Sequence, residues 1–349
     1  MRVEEVTTLD GLRSIASEWE ELWERSDSAT PFQRPQWIVP WCRHFGPEDP
    51  WVLVARHEGR MTGLAPLFVH RPRDSVRVVS ILGHGVTDHL DLLMEPALEQ
   101  VVTGAFLGHL ERQASRWDLC DFEQLRPASP LAWMPLPQGW SEEIEVQEIC
   151  PVVTLPPSAG DLLRVLPLAV RRKLRYYGNL ARKGGPASFE IADRETLPAH
   201  LDALFRLRAA SAAASRAQTR WGYGEGGGLA ASSRIESFYG EAIDALLARG
   251  SVRLCALRLC GTIVSSVLLV LGHGRAHCCL GGSDPAFDRL SPGLLTIGFA
   301  LEEAIRAGAR ELDFLRDDVL SRDAWGAQDR ANRRRRFRHG QLATAMREA

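Results

Sequence analysis

With 349 residues, 45% of them hydrophobic and 25% charged, the chain has the length of two ordinary domains and the composition of a soluble globular protein. A formal net charge of -2 excludes a protein that coats nucleic acid through bulk charge. The first residues, Met1-Arg-Val-Glu-Glu5, hold no apolar signal core, and the longest apolar run, Ile263 to Leu271, is far too short to span a membrane. A cytoplasmic protein without membrane insertion is therefore expected.

Leu12, Ile15, Trp19, Leu22 and Trp23 recur at helical spacing and predict one helix over Leu9 to Arg25. A shorter helix is expected from Trp37 to Phe45, after Pro31 and Pro35. Trp51 to Arg56 and Met61 to His70 read as strands joined by a turn at Glu58-Gly59-Arg60. A strand over Arg77 to Leu82 follows, then the loop Gly83 to His89, which leads into Leu90 to Leu93. Ala97 to Arg116 predicts a helix and Trp117 to Gln124 a strand behind it.

Proline-rich residues Arg126 to Gly160 read as a connector holding one strand, Glu143 to Thr154. Leu162 to Lys183 predicts a basic helix, Ser188 to Ala192 a strand and Leu197 to Ala214 a helix. Arg216 to Ser233 is Gly-rich and polar and reads as a loop, before a helix over Ile235 to Arg249. Arg253 to Leu259 and Thr262 to Leu271 flank the turn Cys260-Gly261, a hairpin signal. Arg275 to Leu280 is a further strand, closed by Gly281 and Gly282.

A helix then opens with Ser291 as N-cap and Pro292 at the first helical position, where a missing N–H costs nothing. Leu294, Ile297, Leu301 and Ile305 give it an apolar stripe, Gly308 stands where a C-cap glycine would, and Glu311 to Leu315 returns as a strand. The second half thus repeats the plan of the first, without a residue-level repeat. Two domains are expected, 1–155 and 156–349, of the α/β (α+β) class, each a mixed and mostly antiparallel sheet flanked by helices.

Seven cysteines, none in CxxC spacing, read as reduced and mostly buried thiols. Cys278 and Cys279 alternate across a strand and could not chelate one ion together, so no metal is expected. A loop feeding a helix N-terminus is a ready anion site, and Arg289 adds a positive charge just before Pro292. Arg289, Ser291, Gly293 and Leu294 are accordingly the candidate phosphate-binding residues.

The tandem plan, Asp284-Pro-Ala-Phe-Asp-Arg-Leu-Ser-Pro-Gly-Leu-Leu295, Glu311-Leu-Asp-Phe-Leu-Arg-Asp-Asp318 and Trp325-Gly-Ala327 together resemble the CelD/BcsL-type GNAT acyltransferases. They are also similar to the wider tandem-GNAT group that includes the Fem peptidoglycan transferases. Phe32-Gln33, Trp37, Trp41 and Thr87-Asp-His-Leu-Asp91 fit the first-half pattern, and the resemblance covers roughly residues 10 to 330. It implies a doubled GNAT fold and transfer of an acyl group from acyl-CoA, acetyl-CoA foremost, to an amine or hydroxyl of a small-molecule or saccharide acceptor. The loop before Pro292 would then hold the CoA diphosphate.

This chain departs from the family's Arg/Gln-x-x-Gly-x-Gly/Ala signature, having Pro292 at the first Gly and Leu294 at the second. It departs again at Arg316-Asp-Asp-Val-Leu-Ser-Arg322, where the family usually has Arg-Gly-Asp-Glu-x-Tyr-Lys. The usual tyrosine acid has no counterpart, which points to a changed acceptor or to lost catalysis.

Acyl transfer to an amine needs a base, a polarised carbonyl and a proton for the leaving thiolate. Asp313, Asp318 and His277 are the candidate bases. Their bland alternatives are a solvated strand residue for Asp313, a surface ion pair of Arg316 with Asp318, and a core histidine for His277. Asp88, His89, Asp91, Arg316 and Trp325 are candidates for acceptor binding, although Asp88 and Asp91 would also suit a turn and Trp325 a packing role.

Two basic segments remain. Arg333 to Arg338 resembles a nucleic-acid patch, or else a solvated face or tail. The Arg171 to Lys183 helix is the better candidate to contact phosphate, and if both lined one groove the donor would be aminoacyl-tRNA, as in the Fem relatives. A third alternative is a degenerate transferase acting as a binding subunit.

Overall fold

The computed structural model describes residues 1–47, 49–72, 76–215, 229–316 and 325–339. The chain divides into two compact units, 1–149 with 330–349, and 150–329. The expected division at 155/156 therefore differs in one respect that matters: the segment after residue 329 returns to the first unit.

In the first unit, β1 (Arg2–Val6) precedes α1 (Leu9–Ser14), α2 (Ala16–Arg25) and α3 (Pro35–Phe45). The single helix expected over Leu9 to Arg25 is interrupted at Ile15, where the Ser14 hydroxyl turns back to donate to the Gly11 carbonyl at 2.7 Å. The hairpin of β2 (Asp49–His57) and β3 (Arg60–His70) turns at Glu58 and Gly59, with φ 51° and 80°. Positive φ at both central positions is what a tight two-residue hairpin demands, and glycine meets it without strain.

Next come β4 (Val78–Ile81), the short β5 (Leu93–Met94), α4 (Glu99–Arg112) and β6 (Leu119–Leu125). β7 (Trp140–Thr154) has its residues to Ile149 in this unit and those from Cys150 in the other. β4 and β6 pair in parallel with α4 as their crossover, whereas β1 with β2, β2 with β3 and β3 with β4 pair antiparallel.

The second unit continues with α5 (Leu162–Val165) and α6 (Leu168–Lys183). One basic helix was expected here; Pro167 divides it, forcing Leu166 to an extended ψ of 149°. Then follow β8 (Ala187–Ile191), α7 (Leu197–Ser215), α8 (Leu229–Leu247), β9 (Val252–Leu259), β10 (Thr262–Gly272), β11 (Arg275–Ser283), α9 (Pro292–Arg306) and β12 (Glu311–Asp313). The strand order is β7-β12-β11-β10-β9-β8, again with one parallel pair, β11 and β12, joined through a helix. The duplicated plan expected from the sequence is present: hairpin, third strand, helix, parallel strand. No described helix is long and apolar enough to cross a membrane.

β13 (Gln328–His339) lies between β6 and β7 in the sheet of the first unit. The arginine run was expected to be a nucleic-acid patch or a solvated tail; it is instead an interior strand whose charges are spent inside the unit. Arg334 pairs with Asp121 of β6 at 2.8 Å, and Arg336 with Glu143 of β7 at 3.1 Å. Arg335, only 1% exposed, donates to Glu142 and to the carbonyls of Leu131 and Met134 at 2.7–2.8 Å. Phe337 is fully buried among Phe122, Trp117 and the rest of the first core.

Gly281 and Gly282 do not close β11 but lie within it. A Cβ on Gly282 would sit 2.6 Å from the Arg208 amide nitrogen and 2.8 Å from the Leu207 carbonyl carbon, so α7 packs backbone to backbone on this strand. On Gly281 it would find nothing nearer than 3.7 Å. Gly282→Ala is therefore expected to cost about 1–3 kcal/mol by overpacking, with Gly281→Ala close to neutral; urea unfolding of the two variants measures the difference, and equal costs would refute the close approach.

Candidate active site

The helical crossover from β11 to β12 places the C-terminal ends of two parallel strands beside the start of α9. This is the crevice where open α/β sheets hold ligands. Parallel pairing joins Arg275 to Glu311, Ala276 to Leu312 and His277 to Asp313, and no further pair is formed among the described residues. β11 nevertheless runs on to Ser283.

Just past the last pair the β10–β11 register skips, Leu269 facing Cys278 and Leu268 facing Leu280, which leaves Cys279 as a bulge. A bulge turns the strand and re-aims its groups. The two strands thus part directly beyond His277 and Asp313.

Alternation sorts the side chains. Ala276, Cys278, Leu312 and Phe314 enter the core beneath α9, so His277 and Asp313 lie on the opposite face. A His277 ring nitrogen and an Asp313 carboxylate oxygen come within 4.8 Å of each other. His277 is buried and Asp313 half-buried; Asp313 also accepts the Leu315 amide at 2.8 Å, which fixes Leu315 at φ 55° and ends β12. The strand expected to reach Leu315 therefore stops two residues earlier.

At the other wall, a 3-10 turn (Pro285–Leu290) opens with the Asp284 side chain accepting from the Ala286 amide. Ser291 occupies the cap position of α9 but makes no side-chain cap bond. Its left-handed backbone, φ 44° and ψ 57°, is unlike the extended conformation from which a serine hydroxyl reaches the first turn. The expected serine cap is thus corrected.

Pro292 has no N–H to satisfy, and the amides of Gly293 and Leu294 have no acceptor among the described residues. An exposed Arg289 without an ion pair among them stands two residues before Ser291. An oxyanion bound there would meet two free N–H donors, the positive end of the helix dipole and a cation.

Ser211 of α7 ties the end of β11 in place: its hydroxyl donates to the Ser283 carbonyl at 2.7 Å and accepts the Ser283 amide at 3.0 Å. Neither serine was singled out from the sequence. The glycine inside a strand pattern at 282 was the available signal, since it marks a close backbone approach.

Other candidates fall elsewhere. Trp325, a candidate for the acceptor site or for packing, is 2% exposed and packs in the core with Leu312 and Phe314. Arg316 is half-buried at the end of a described segment. Asp318 lies outside the described residues, as do the altered positions Asp317, Val319, Ser321 and Arg322.

Asp88, His89 and Asp91 belong to the first unit and are all buried. His89, at φ 53°, meets Asn332 of β13 at 3.3 Å. Trp37 and Gln33, noted in the sequence, brace the same loop by donating to Thr87 at 2.9 Å and to the Leu92 carbonyl at 2.7 Å. Helix α4 carries acidic Glu99 in its own first turn, so the matching position of the first unit offers nothing to an anion.

Asp91 accepts the Leu92 amide and the Ser129 hydroxyl, each at 2.8 Å, with Arg126 3.8 Å away. Burial nonetheless pushes its carboxyl up from 3.8 to about 6. Between those two values the folded chain holds a proton that the unfolded chain has released, so stability falls as pH rises through the window. Asp91→Asn lacks this loss. Urea unfolding from about pH 4 to pH 6 is expected to move in the variant's favour by about 2–3 kcal/mol; a difference that stays constant with pH would refute the shift.

Residues 169–325 match the model of the acetyltransferase (GNAT) domain family. No curated protein matches the chain. Among solved structures, the chain is similar to the crystal structure of FemX at 14% identity over 96% of this chain and 97% of that one, with a TM-score of 0.67. It is similar to the C-terminal domain (DUF2156) of a putative lysylphosphatidylglycerol synthetase from Agrobacterium fabrum at 12% identity, 93% and 92% coverage and a TM-score of 0.56. A conserved protein of unknown function from Bacteroides thetaiotaomicron VPI-5482 follows at 11% identity, 97% and 99% coverage and a TM-score of 0.57. At these identities the likeness is one of fold.

Proposed function

We propose that this chain, which carries a GNAT acetyltransferase domain within a Fem-related tandem GNAT fold, moves an acyl group from acyl-CoA to an amine or hydroxyl of a small acceptor. The parting of β11 and β12 past His277 and Asp313, opposite the uncapped start of α9, is the observation that carries it. The residues fit the donor: free amides on Gly293 and Leu294, with Arg289 beside them, suit a diphosphate. Bound acyl-CoA supplies a thioester carbonyl as the acyl source.

The protein's own groups do the rest. The backbone N–H groups of β11 on the edge that β12 has left are placed to polarise a carbonyl. Asp313, with His277 4.8 Å or less away, takes the proton from the attacking amine or hydroxyl, directly or through a water. The acceptor enters from the face opposite the α9 core, where these two side chains lie. Acetyl-CoA is the first donor to try, because nothing printed in the chain selects a longer one.

Calorimetric titration of the purified protein with acetyl-CoA and longer acyl-CoAs tests the assignment. Saturable binding is expected, weakened roughly 3–10-fold by Arg289→Ala, the loss of one charge-assisted contact to phosphate. Absence of heat with every acyl-CoA would overturn it and make aminoacyl-tRNA the next donor to titrate.

A further inference from the structure

From Leu162 to Phe189 the chain carries seven cations, Arg164, Arg171, Arg172, Lys173, Arg175, Arg182 and Lys183, and no carboxylate. Against a formal net charge of -2 for the whole chain, this is a strong local contrast. Only Arg164 has an ion pair among the described residues, with Asp161 at 2.8 Å; Arg171, Arg172, Lys173, Arg175 and Lys183 have none. The acyl transfer site described above uses none of them.

Helix α6 is oriented by its inner stripe. Val170 and Ala181 are buried, and Leu174 and Tyr177 pack on the cores under α9. The outer stripe, one turn apart at Leu168, Arg172 and Tyr176 with Lys173 and Arg175 beside it, is therefore turned to solvent. Leu168 is 52% exposed and Tyr176 63%, and Val165 of α5 just before them is 56% exposed. This face thus presents large apolar side chains and cations without ion pairs among the described residues side by side.

We propose that α5 and α6 form a docking face for an anionic phospholipid bilayer, with the arginines and lysine at the headgroups and Val165, Leu168 and Tyr176 in the interfacial layer. Two signals acting together are what reversible interfacial binding requires, apolar area and charge. A nucleic acid would use the cations and could stack on Tyr176, but Val165 and Leu168, 56% and 52% exposed, offer it neither a hydrogen bond nor an aromatic face. No described helix crosses a membrane, so the attachment is peripheral. It is independent of the donor assignment.

Co-sedimentation of the full chain with vesicles tests it, phosphatidylcholine alone against phosphatidylcholine with a third phosphatidylglycerol. Binding is expected to the anionic vesicles only, weakening as salt is raised. Each cation near such a surface is worth roughly fivefold in partitioning, so the triple variant Arg172→Gln/Lys173→Gln/Arg175→Gln is expected to bind roughly a hundredfold more weakly. Leu168→Ser/Tyr176→Ser is expected to lose about tenfold at unchanged charge. All five side chains are exposed, so the variants are expected to melt with the parent, and the thermal scan verifies it. No binding to anionic vesicles, or a double variant indistinguishable from the parent, would overturn the proposal. So would a face that ignores vesicles yet binds tRNA and loses it in the triple variant.

Discussion

Deleting residues 330–349 is expected to unfold the first unit altogether. β13 is not an appendage there but stands between β6 and β7, so its removal exposes two strand edges and opens the core. Phe337 alone, fully buried among Phe122 and Trp117, is worth about 3–5 kcal/mol by comparison with aromatic truncations elsewhere. Loss of Arg335 also strands the carbonyls of Leu131 and Met134, which are its acceptors, at about 1–3 kcal/mol each. Together these approach or exceed the whole stability of an ordinary domain, about 5–15 kcal/mol. Thermal unfolding followed by near-ultraviolet circular dichroism should lose the signal of the first unit's tryptophans. The milder Phe337→Ala should lower the midpoint while keeping the transition. A truncated chain that melts like the parent would show that β13 is dispensable.

Asp313→Asn is expected to lower the rate of thiol release from acyl-CoA by about 10²–10³-fold with whichever amine or hydroxyl acceptor supports turnover. Donor affinity should stay within about twofold, since the role proposed for the carboxylate is to take a proton and not to hold phosphate. The amide keeps an oxygen for the Leu315 N–H, so the end of β12 is preserved. His277→Gln should cause a loss of similar size, and the double variant should lose little more than either alone, because paired groups acting on one proton do not contribute additively. An unchanged rate in Asp313→Asn would remove Asp313 from the mechanism. A parent that binds acyl-CoA but turns over no acceptor would instead favour the non-catalytic binding role.

How far this architecture can be read from sequence depends on the range of the contacts that decide it. The turns at Glu58-Gly59 and Cys260-Gly261 are legible because the chemistry is local: positive φ at both positions and apolar strands on either side. The α9 start is legible as a helix through Pro292, yet the left-handed backbone of Ser291 is not, because serine there suggests a cap that the chain does not make. His277 and Asp313 could be named as polar residues at strand ends. That they lie side by side is a consequence of parallel register across a long crossover, which composition does not encode. Gly282 reads as a strand terminator until α7 is seen against it.

The arginine run at 333–338 misleads most, since charge density by itself suggests a surface. Its complement was present all along in Asp121, Glu123, Glu142, Glu143 and Glu145, but these lie about two hundred residues earlier and become neighbours only when β13 enters between β6 and β7.

That same entry sets an order of events during synthesis. Residues 150–329 make a compact unit from contiguous chain and can complete it as soon as they have left the ribosome. The unit that begins at the N-terminus cannot, because its sheet waits for a strand made after the other unit is finished. Until then β6 and the first part of β7 hold unpaired edges, and the pairing that closes them, Phe337 with Cys120, has one of the longest sequence separations in the molecule. Contacts so distant form slowly. The half of the protein that is translated first is thus the half that is folded last, and for that interval it is the one that must be protected from association.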